Sequence, residues 1–352
     1  MTAVLECLPV RIAAGGSTRL PADVYRSGIA SGLAHVRWTL ATTGASAKVA
    51  EAWKRAVAAR PEWRGVAAST GAGVGTKVLA GQPALSFTVT EDRLGELLGF
   101  LGGTALTWAD LDVADAGRTA DPRLAARRLA AGEDLFVRPE GPLETHLTIL
   151  ADLDGPAEPA TSREPPADLT SPRRAGETHR AGSGRQTWYA VYWDLPPLDP
   201  EQAAAAELFL FGVAGAPFAP LYQALRDDLG ISYGLRTSVQ RRPGQARAWL
   251  ELSFPTDREA EVREATERVL GHHDVGKWLE NARNVLLSSV LAALDFGSGQ
   301  ADALAFGHVV GDPAYSWKVA HHLGGTDLVR LLNGVPGPLT TLGSANIGSY
   351  HA

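Results

Sequence analysis

Leu221-Tyr-Gln-Ala-Leu-Arg-Asp-Asp-Leu-Gly-Ile-Ser-Tyr-Gly-Leu-Arg-Thr-Ser-Val239 reads as the end of a helix, a glycine stop and the start of a strand. Gly230 is the residue type that ends helices in the left-handed conformation, where a Cβ is penalised. Arg226 and Tyr233 fall on either side of that corner. Two hydrogen-bond donors held across a fixed turn are suited to gripping a peptide carbonyl.

The pattern continues downstream as two strands, Ile231–Gln240 and Ala246–Phe254, joined through Arg241-Arg-Pro-Gly244. Thr256-Asp-Arg-Glu259 then has the spacing of a capping box, ahead of a helix striped by Val262, Ala265, Val269 and Leu270. The same order occurs earlier. Thr76-Lys-Val78, a hairpin, Leu85-Ser-Phe87 and Thr90-Glu-Asp-Arg93 lead into a helix striped by Leu94, Leu97, Leu98 and Leu101. An ordered recurrence of strand, hairpin, strand, cap and helix marks an internal repeat. Upstream of the opening stretch lie a strand, Gln186–Trp193, and a helix begun by Asp199-Pro200 with Gln202 completing a capping box. Between the copies, residues 155–184 hold five prolines, four glycines and a single large apolar side chain, Leu169. Such a segment buries too little surface to offset its ordering entropy. The expected organisation is a domain over 1–154, a flexible Pro/Gly-rich linker over 155–184 and a second domain over 185–352. The fold class is α+β, with antiparallel-rich sheets and helices packed on them.

The chain has 352 residues, enough for two cores, with 45% apolar and 20% charged residues and a net charge of −6. That balance, without a basic block, speaks against nucleic acid or an anionic membrane as partner. A lone cysteine, Cys7, excludes an internal disulfide framework. The N-terminus lacks a signal-peptide pattern, and no uncharged stretch reads as a span of about 20 apolar residues, so a cytoplasmic location is expected.

Phe211-Gly-Val-Ala-Gly-Ala-Pro-Phe-Ala-Pro-Leu-Tyr-Gln-Ala-Leu-Arg-Asp-Asp-Leu-Gly-Ile-Ser-Tyr233 resembles the segment of the M16 (insulinase/pitrilysin-like) zinc peptidases that runs from their Gly-rich turn through the arginine and tyrosine that hold the substrate backbone opposite the zinc. The resemblance extends over about 185–332 and is to the short, two-domain form of the family. It implies two homologous α/β-sandwich domains and a substrate-binding role for Arg226 and Tyr233. The first half departs from the family. There the zinc helix bears His-x-x-Glu-His, two histidines one turn apart with a general-base glutamate. Here Gly32-Leu-Ala-His-Val-Arg-Trp-Thr39 stands in its place, with His35 retained, Trp38 at the glutamate position and Thr39 at the second histidine. No His-x-x-Glu-His occurs among the nine histidines, and Asp110–Arg118, where a further glutamate ligand belongs, has none.

One histidine cannot hold a catalytic zinc, so no metal, no cofactor and no catalytic residue are assigned to this chain alone. The resemblance implies the non-zinc, substrate-binding subunit of a heterodimeric metallopeptidase. Zinc would reside in a homologous partner bearing His-x-x-Glu-His, and the substrate would be a peptide, with leader removal from a ribosomally made peptide natural product as a specific case. The alternative is a degenerate homologue, a structural or peptide-binding scaffold with no part in proteolysis. Gly71-Ala-Gly-Val-Gly-Thr-Lys77 lacks the spacing of a phosphate-binding loop and runs into a strand. The adjacent pairs His272-His273 and His321-His322 do not share a helix face and read as surface residues.

Overall fold

The computed structural model describes residues 9–12, 20–27, 31–43, 46–111, 126, 129–130, 140–154, 156–158, 167–168, 177–180, 185–231, 235–242, 244–271 and 277–351. The strands are β1 (Val10–Ile12), β2 (Ala22–Arg26), β3 (Leu33–Leu40), β4 (Thr42–Thr43), β5 (Gly75–Leu79), β6 (Gln82–Thr90), β7 (Thr145–Ala151), β8 (Ala167–Asp168), β9 (Glu177–Arg180), β10 (Gln186–Leu195), β11 (Arg236–Arg242), β12 (Gln245–Pro255) and β13 (Asn346–His351). The helices are α1 (Ser46–Ala58), α2 (Pro61–Thr70), α3 (Leu94–Gly103), α4 (Pro200–Leu210), α5 (Glu259–Gly271), α6 (Lys277–Leu294), α7 (Gly297–Val310), α8 (Tyr315–Gly325) and α9 (Leu328–Asn333).

Two sheets carry the fold, in strand orders β1-β2-β7-β3-β6-β5 and β11-β12-β10-β13-β9. Read from opposite ends, the five strands of the second correspond in order to β2, β7, β3, β6 and β5 of the first, and β1 is additional. β3 and β10 each sit between two antiparallel neighbours, β6 and β7 in one sheet and β12 and β13 in the other. The next strand out is parallel in both, β2 beside β7 and β9 beside β13. The repeated strand pairs are the hairpins β5–β6 and β11–β12, each followed by a turn of 3-10 helix and then α3 or α5. The α+β class and the antiparallel-rich sheets are therefore those expected. Of residues 155–184, β8 pairs with β4, and β9 forms the second sheet's edge in the place that β2 occupies in the first. Other parts of that stretch lie outside the described residues.

Strand alternation sends every second residue to the same face. In β3, Val36, Trp38 and Leu40 enter one core with Leu85, Phe87 and Val89 of β6, closed over by Val49, Trp53 and Val57 of α1. In β10 and β12, Tyr189, Val191, Leu252 and Phe254 enter the second core. Each such side chain contributes about 1.5–3 kcal/mol on burial. The alanine-rich α4 is buried at Ala203, Ala204, Ala205 and Ala206, which lets it lie close to the sheet. Its predicted capping box forms, with Gln202 N–H donating 2.8 Å to Asp199 and the Asp199 N–H donating 3.2 Å back to Gln202. The helical run Pro200–Asp228 is long and apolar enough to cross a bilayer by composition, but 67% of its most apolar window is buried in the protein. It is a core helix.

The opposite face of each sheet is covered by the other half of the chain. On the first sheet, Tyr25 and Leu150 pack against Leu294, Ala301, Leu304 and Trp317. Arg37, only 1% exposed, forms a salt bridge with Asp302 of α7 and donates to the Ser298 carbonyl at 2.7 Å and the Ser298 hydroxyl at 2.8 Å. Lys77 of β5 reaches the other oxygen of Asp302 at 3.0 Å. Farther along α7, His308 lies 2.8 Å from the Tyr25 hydroxyl and 3.4 Å from the buried Asp23 carboxylate, which also meets Arg11 and His146. On the second sheet, Ala190, Tyr192 and Trp249 pack against Ala126 and Ala130 of the first half. Gly348 makes this possible, because a Cβ there would collide with the backbone of Ala126 and Ala130.

The structure adds elements that the periodicity did not reveal, notably β2, α2, α8 and β13. α1 ends at Ala58, just ahead of Arg60-Pro61, and Pro61 is the first residue of α2, where its missing N–H costs nothing. Two changes test the reciprocal covers by thermal or urea unfolding. Asp302→Ala strands a buried guanidinium and is expected to cost about 3 kcal/mol. Gly348→Ala is expected to cost about 1–3 kcal/mol by overpacking, and an unchanged midpoint would remove the contact from the account of stability.

Candidate functional site

The corner read from Leu221–Val239 is present. The chain leaves a short helix, Pro220–Tyr222, through a π-helical turn, Gln223–Asp228. The Leu229 N–H donates to the Ala224 carbonyl at 3.2 Å and the Ile231 N–H to the Leu225 carbonyl at 2.7 Å. Gly230 sits at φ +62°, in the left-handed region where glycine is favoured. Leu225 and Ile231 are buried beneath the turn and anchor it to the second core. The strand expected from Ile231 begins at Arg236. A second π-helical turn, Phe211–Gly215, closes α4 through the Ala216 N–H and the Phe211 carbonyl, 2.8 Å apart. Single π turns inside helices are rare and concentrate at functional sites.

Arg226 lies on the Gln223–Asp228 turn, exposed to solvent, beside the exposed Asp227 and Asp228. Its guanidinium lies 5.2 Å from the centre of the Tyr222 ring, and Nη1 donates to the Tyr222 hydroxyl. Tyr222 thus holds the guanidinium by a cation–π contact and a hydrogen bond together. Its spacing of one helical turn from Arg226 was the signal that could have revealed it. Tyr233, the other substrate-binding candidate, lies outside the described residues.

His35 departs from its expected setting. The stretch compared with a zinc helix is β3, a strand in the middle of the first sheet, paired on both sides by β6 and β7. Two residues of a strand four apart stand along an extended chain rather than one helical turn apart, so the His-x-x-Glu-His comparison at Gly32–Thr39 is corrected. The first helix after this strand, α1, carries no histidine. Trp38 faces the core, 4.7 Å from Trp53, while His35 and Thr39 face the α7 side. His35 is 8% exposed, and its Nδ1 lies 3.1 Å from the Thr88 hydroxyl. Gly297, at the start of α7, abuts its ring, and a Cβ there would come within 2.6 Å of Nε2. Burial, then the neighbouring Arg37 charge, pull its pKa below the ordinary histidine value, against a smaller opposing effect of Asp302. His35 is a neutral interface residue. Among the described residues, no group of three or more His, Cys, Asp or Glu is placed to hold a metal ion.

Other sequence features take structural places. Gly71 at φ +68° ends α2, and the glycine-rich run after it enters β5. His322 lies near the end of α8, with Nδ1 3.2 Å from the Thr326 hydroxyl. Asp110 accepts from the Thr107 N–H and hydroxyl, which hold its carboxyl below the usual range. His272, His273 and Cys7 lie outside the described residues.

Residues 144–272, from the start of β7 through α5, match the family model of the peptidase M16 inactive domain. No curated protein sequence matches the chain. Solved structures of the same overall fold include an M16-like peptidase from Alicyclobacillus acidocaldarius, at 16% identity and TM-score 0.62 over 97% of each chain. A peptidase M16 inactive domain from Pseudomonas fluorescens is similar at 13% identity and TM-score 0.62, over 96% of this chain and 97% of that one. A chain of complex III2 from Candida albicans is similar at 11% identity and TM-score 0.66, over 97% and 95%. The overall fold shared with these structures spans both halves, and the segment that matches the family model includes the Arg226 corner.

The sign of the His35 shift fixes a pH effect on stability. A histidine whose pKa is lowered on folding contributes stability that is present above its unfolded value, about 6.5, and is lost as pH falls toward the folded value. His35→Gln is expected to flatten the decline in melting temperature below about pH 6.5. Parallel curves for the two proteins would show that His35 does not titrate in this way.

Proposed function

We propose that this M16 homologue is the non-catalytic, substrate-binding subunit of a two-chain peptidase. Its partner is a homologous chain that bears His-x-x-Glu-His and the zinc. The observation that carries the proposal is the second-half corner: an exposed arginine on a π-helical turn, held by Tyr222, within a segment matching the family's inactive domain. The setting of His35 supports it, because this histidine lies on a central strand and packs against α7 rather than standing in a metal site.

In this proposal the guanidinium of Arg226 and the hydroxyl of Tyr233 donate to the carbonyl oxygen of the scissile peptide, or to its neighbour, from the side opposite the partner's zinc. Donors aimed at that oxygen act most strongly as negative charge develops on it in the tetrahedral intermediate. The chain supplies position and hydrogen bonds; the metal-bound nucleophile belongs to the partner. Leader removal from a ribosomally made peptide, in the cytoplasm, is the setting proposed for it.

The test mixes the purified chain with a homologous His-x-x-Glu-His subunit encoded beside it and with candidate leader peptides. Arg226→Ala and Tyr233→Phe are each expected to lower cleavage by the mixture about 10²–10³-fold while leaving the melting temperature unchanged. Cleavage that survives both substitutions removes the gripping role. Stoichiometric zinc binding and cleavage by the isolated chain would overturn the non-catalytic assignment.

A further inference from the structure

Tyr222 and Arg226 stand four residues apart, a spacing that makes side chains neighbours on a helix surface. The residue before each, Leu221 and Leu225, is buried in the second core. These anchors fix where Tyr222 and Arg226 leave the backbone. At Tyr222 the chain is still regular helix, with φ −61° and ψ −45°, and the Gln223 N–H donates to the Ala219 carbonyl at 2.9 Å. The register widens to a π turn only beyond it. The Tyr222 side chain is therefore held on rigid backbone, half-buried, with the exposed Arg226 against its ring.

The hydrogens at this contact are unevenly used. A guanidinium has five N–H donors and no acceptor, whereas a phenol has one O–H donor and an oxygen that also accepts. Arg226 Nη1 directs one donor at the Tyr222 oxygen. The Tyr222 O–H cannot point back at a group that accepts nothing, and among the described residues no acceptor receives it. An O–H whose oxygen accepts from a cation is polarised and donates more strongly. The contact thus presents two donors to the outside, an N–H and an O–H, one hydrogen bond apart. A carbonyl oxygen has two lone pairs, and an oxyanion hole needs its donors at about 2.7–3.1 Å from one oxygen. Two donors already in contact with each other suit that requirement.

We propose that Tyr222 is a substrate-binding residue in its own right: its hydroxyl donates, beside the Arg226 guanidinium, to the same carbonyl oxygen of a bound peptide. This rests on the two-chain reading for the reaction that follows binding, and adds to it a donor separate from Tyr233. No bond to this chain forms or breaks. Both donors keep their protons and stabilise charge as it develops on the oxygen.

The experiment uses the full chain, with and without the homologous His-x-x-Glu-His subunit. In the mixture with a leader peptide, Tyr222→Phe removes the hydroxyl and keeps the ring beside the guanidinium. It is expected to lower kcat about 10²-fold with KM little changed, the pattern of a contact made in the transition state. The double variant separates donation from support. A donor lowers the rate a further tenfold, roughly, in the Arg226→Ala background, whereas a residue that only props the guanidinium has no further effect there. With the isolated chain, a phosphonate analogue of Ala-Ala supplies a tetrahedral oxyanion and is titrated by calorimetry. Saturable binding is expected, weaker by about tenfold in Tyr222→Phe, with the melting temperature of each variant unchanged.

An unchanged kcat in Tyr222→Phe, or no further loss in the Arg226→Ala background, overturns the proposal and leaves the two-chain reading standing. If the wild-type mixture does not cleave, that reading falls and calorimetry decides alone. Phosphonate binding weakened by Tyr222→Phe then upholds the donor, and binding that is absent or indifferent to the hydroxyl removes it.

Discussion

The structure depends on one constraint: each sheet has two faces to cover, and each half of the chain covers only one of its own. The faces left over are not ordinary solvated surfaces. One presents Tyr25, Leu150 and a nearly inaccessible guanidinium at Arg37; the other presents Tyr192 and Trp249. Exposed, those aromatic rings would forfeit much of their burial free energy. The repeat resolves this by exchange. α7 of the second half lies on the first sheet, and Ala126 and Ala130 of the first half lie on the second. The two contacts differ in chemistry. Small residues and a glycine permit close approach on the second sheet, whereas Arg37, Asp302, Lys77 and Ser298 fix the register of α7 on the first.

This exchange accounts for the fate of His35. Its face of β3 is the one that α7 covers, and the ring meets Gly297 at the start of that helix. Burial first, and then the Arg37 charge, disfavour a protonated imidazole and lower its pKa. A histidine so placed contributes to docking between the halves.

The sequence was legible where local chemistry decides structure. Asp199 and Gln202 announced the start of α4, Gly230 announced the corner, and alternation around Leu85-Ser-Phe87 and Leu252-Ser-Phe254 located the strands that face the cores. It was opaque where the answer depends on distant partners. Gly32–Thr39 contains residues compatible with a helix, and the comparison of letters favoured one. Pairing with β6 and β7 makes it a strand, and nothing within eight residues encodes that pairing. The π-helical turns were also hidden, since they arise from how Leu225, Ile231 and Ala216 are drawn into the core. Tyr222 was within reach, four residues before Arg226, once the helix was recognised.

The corner differs from the rest of the molecule in the direction of its energetics. Elsewhere, unusual groups are compensated: Arg37 has Asp302 and Ser298, and the Tyr315 hydroxyl, whose pKa is pushed up to about 12 chiefly by burial, donates to the Leu198 carbonyl at 2.7 Å. Around Arg226, the helix gives up regular α-helical hydrogen bonding for a π turn and keeps a cation in solvent against one aromatic ring. Its neighbour Leu225 is buried in the core, whereas the Arg226 side chain stays exposed against the Tyr222 ring. The turn's aliphatic anchors explain why the backbone holds its shape. They do not require an arginine at its surface. A stable fold would accept many polar side chains there, which is in keeping with the substrate-binding role proposed for Arg226.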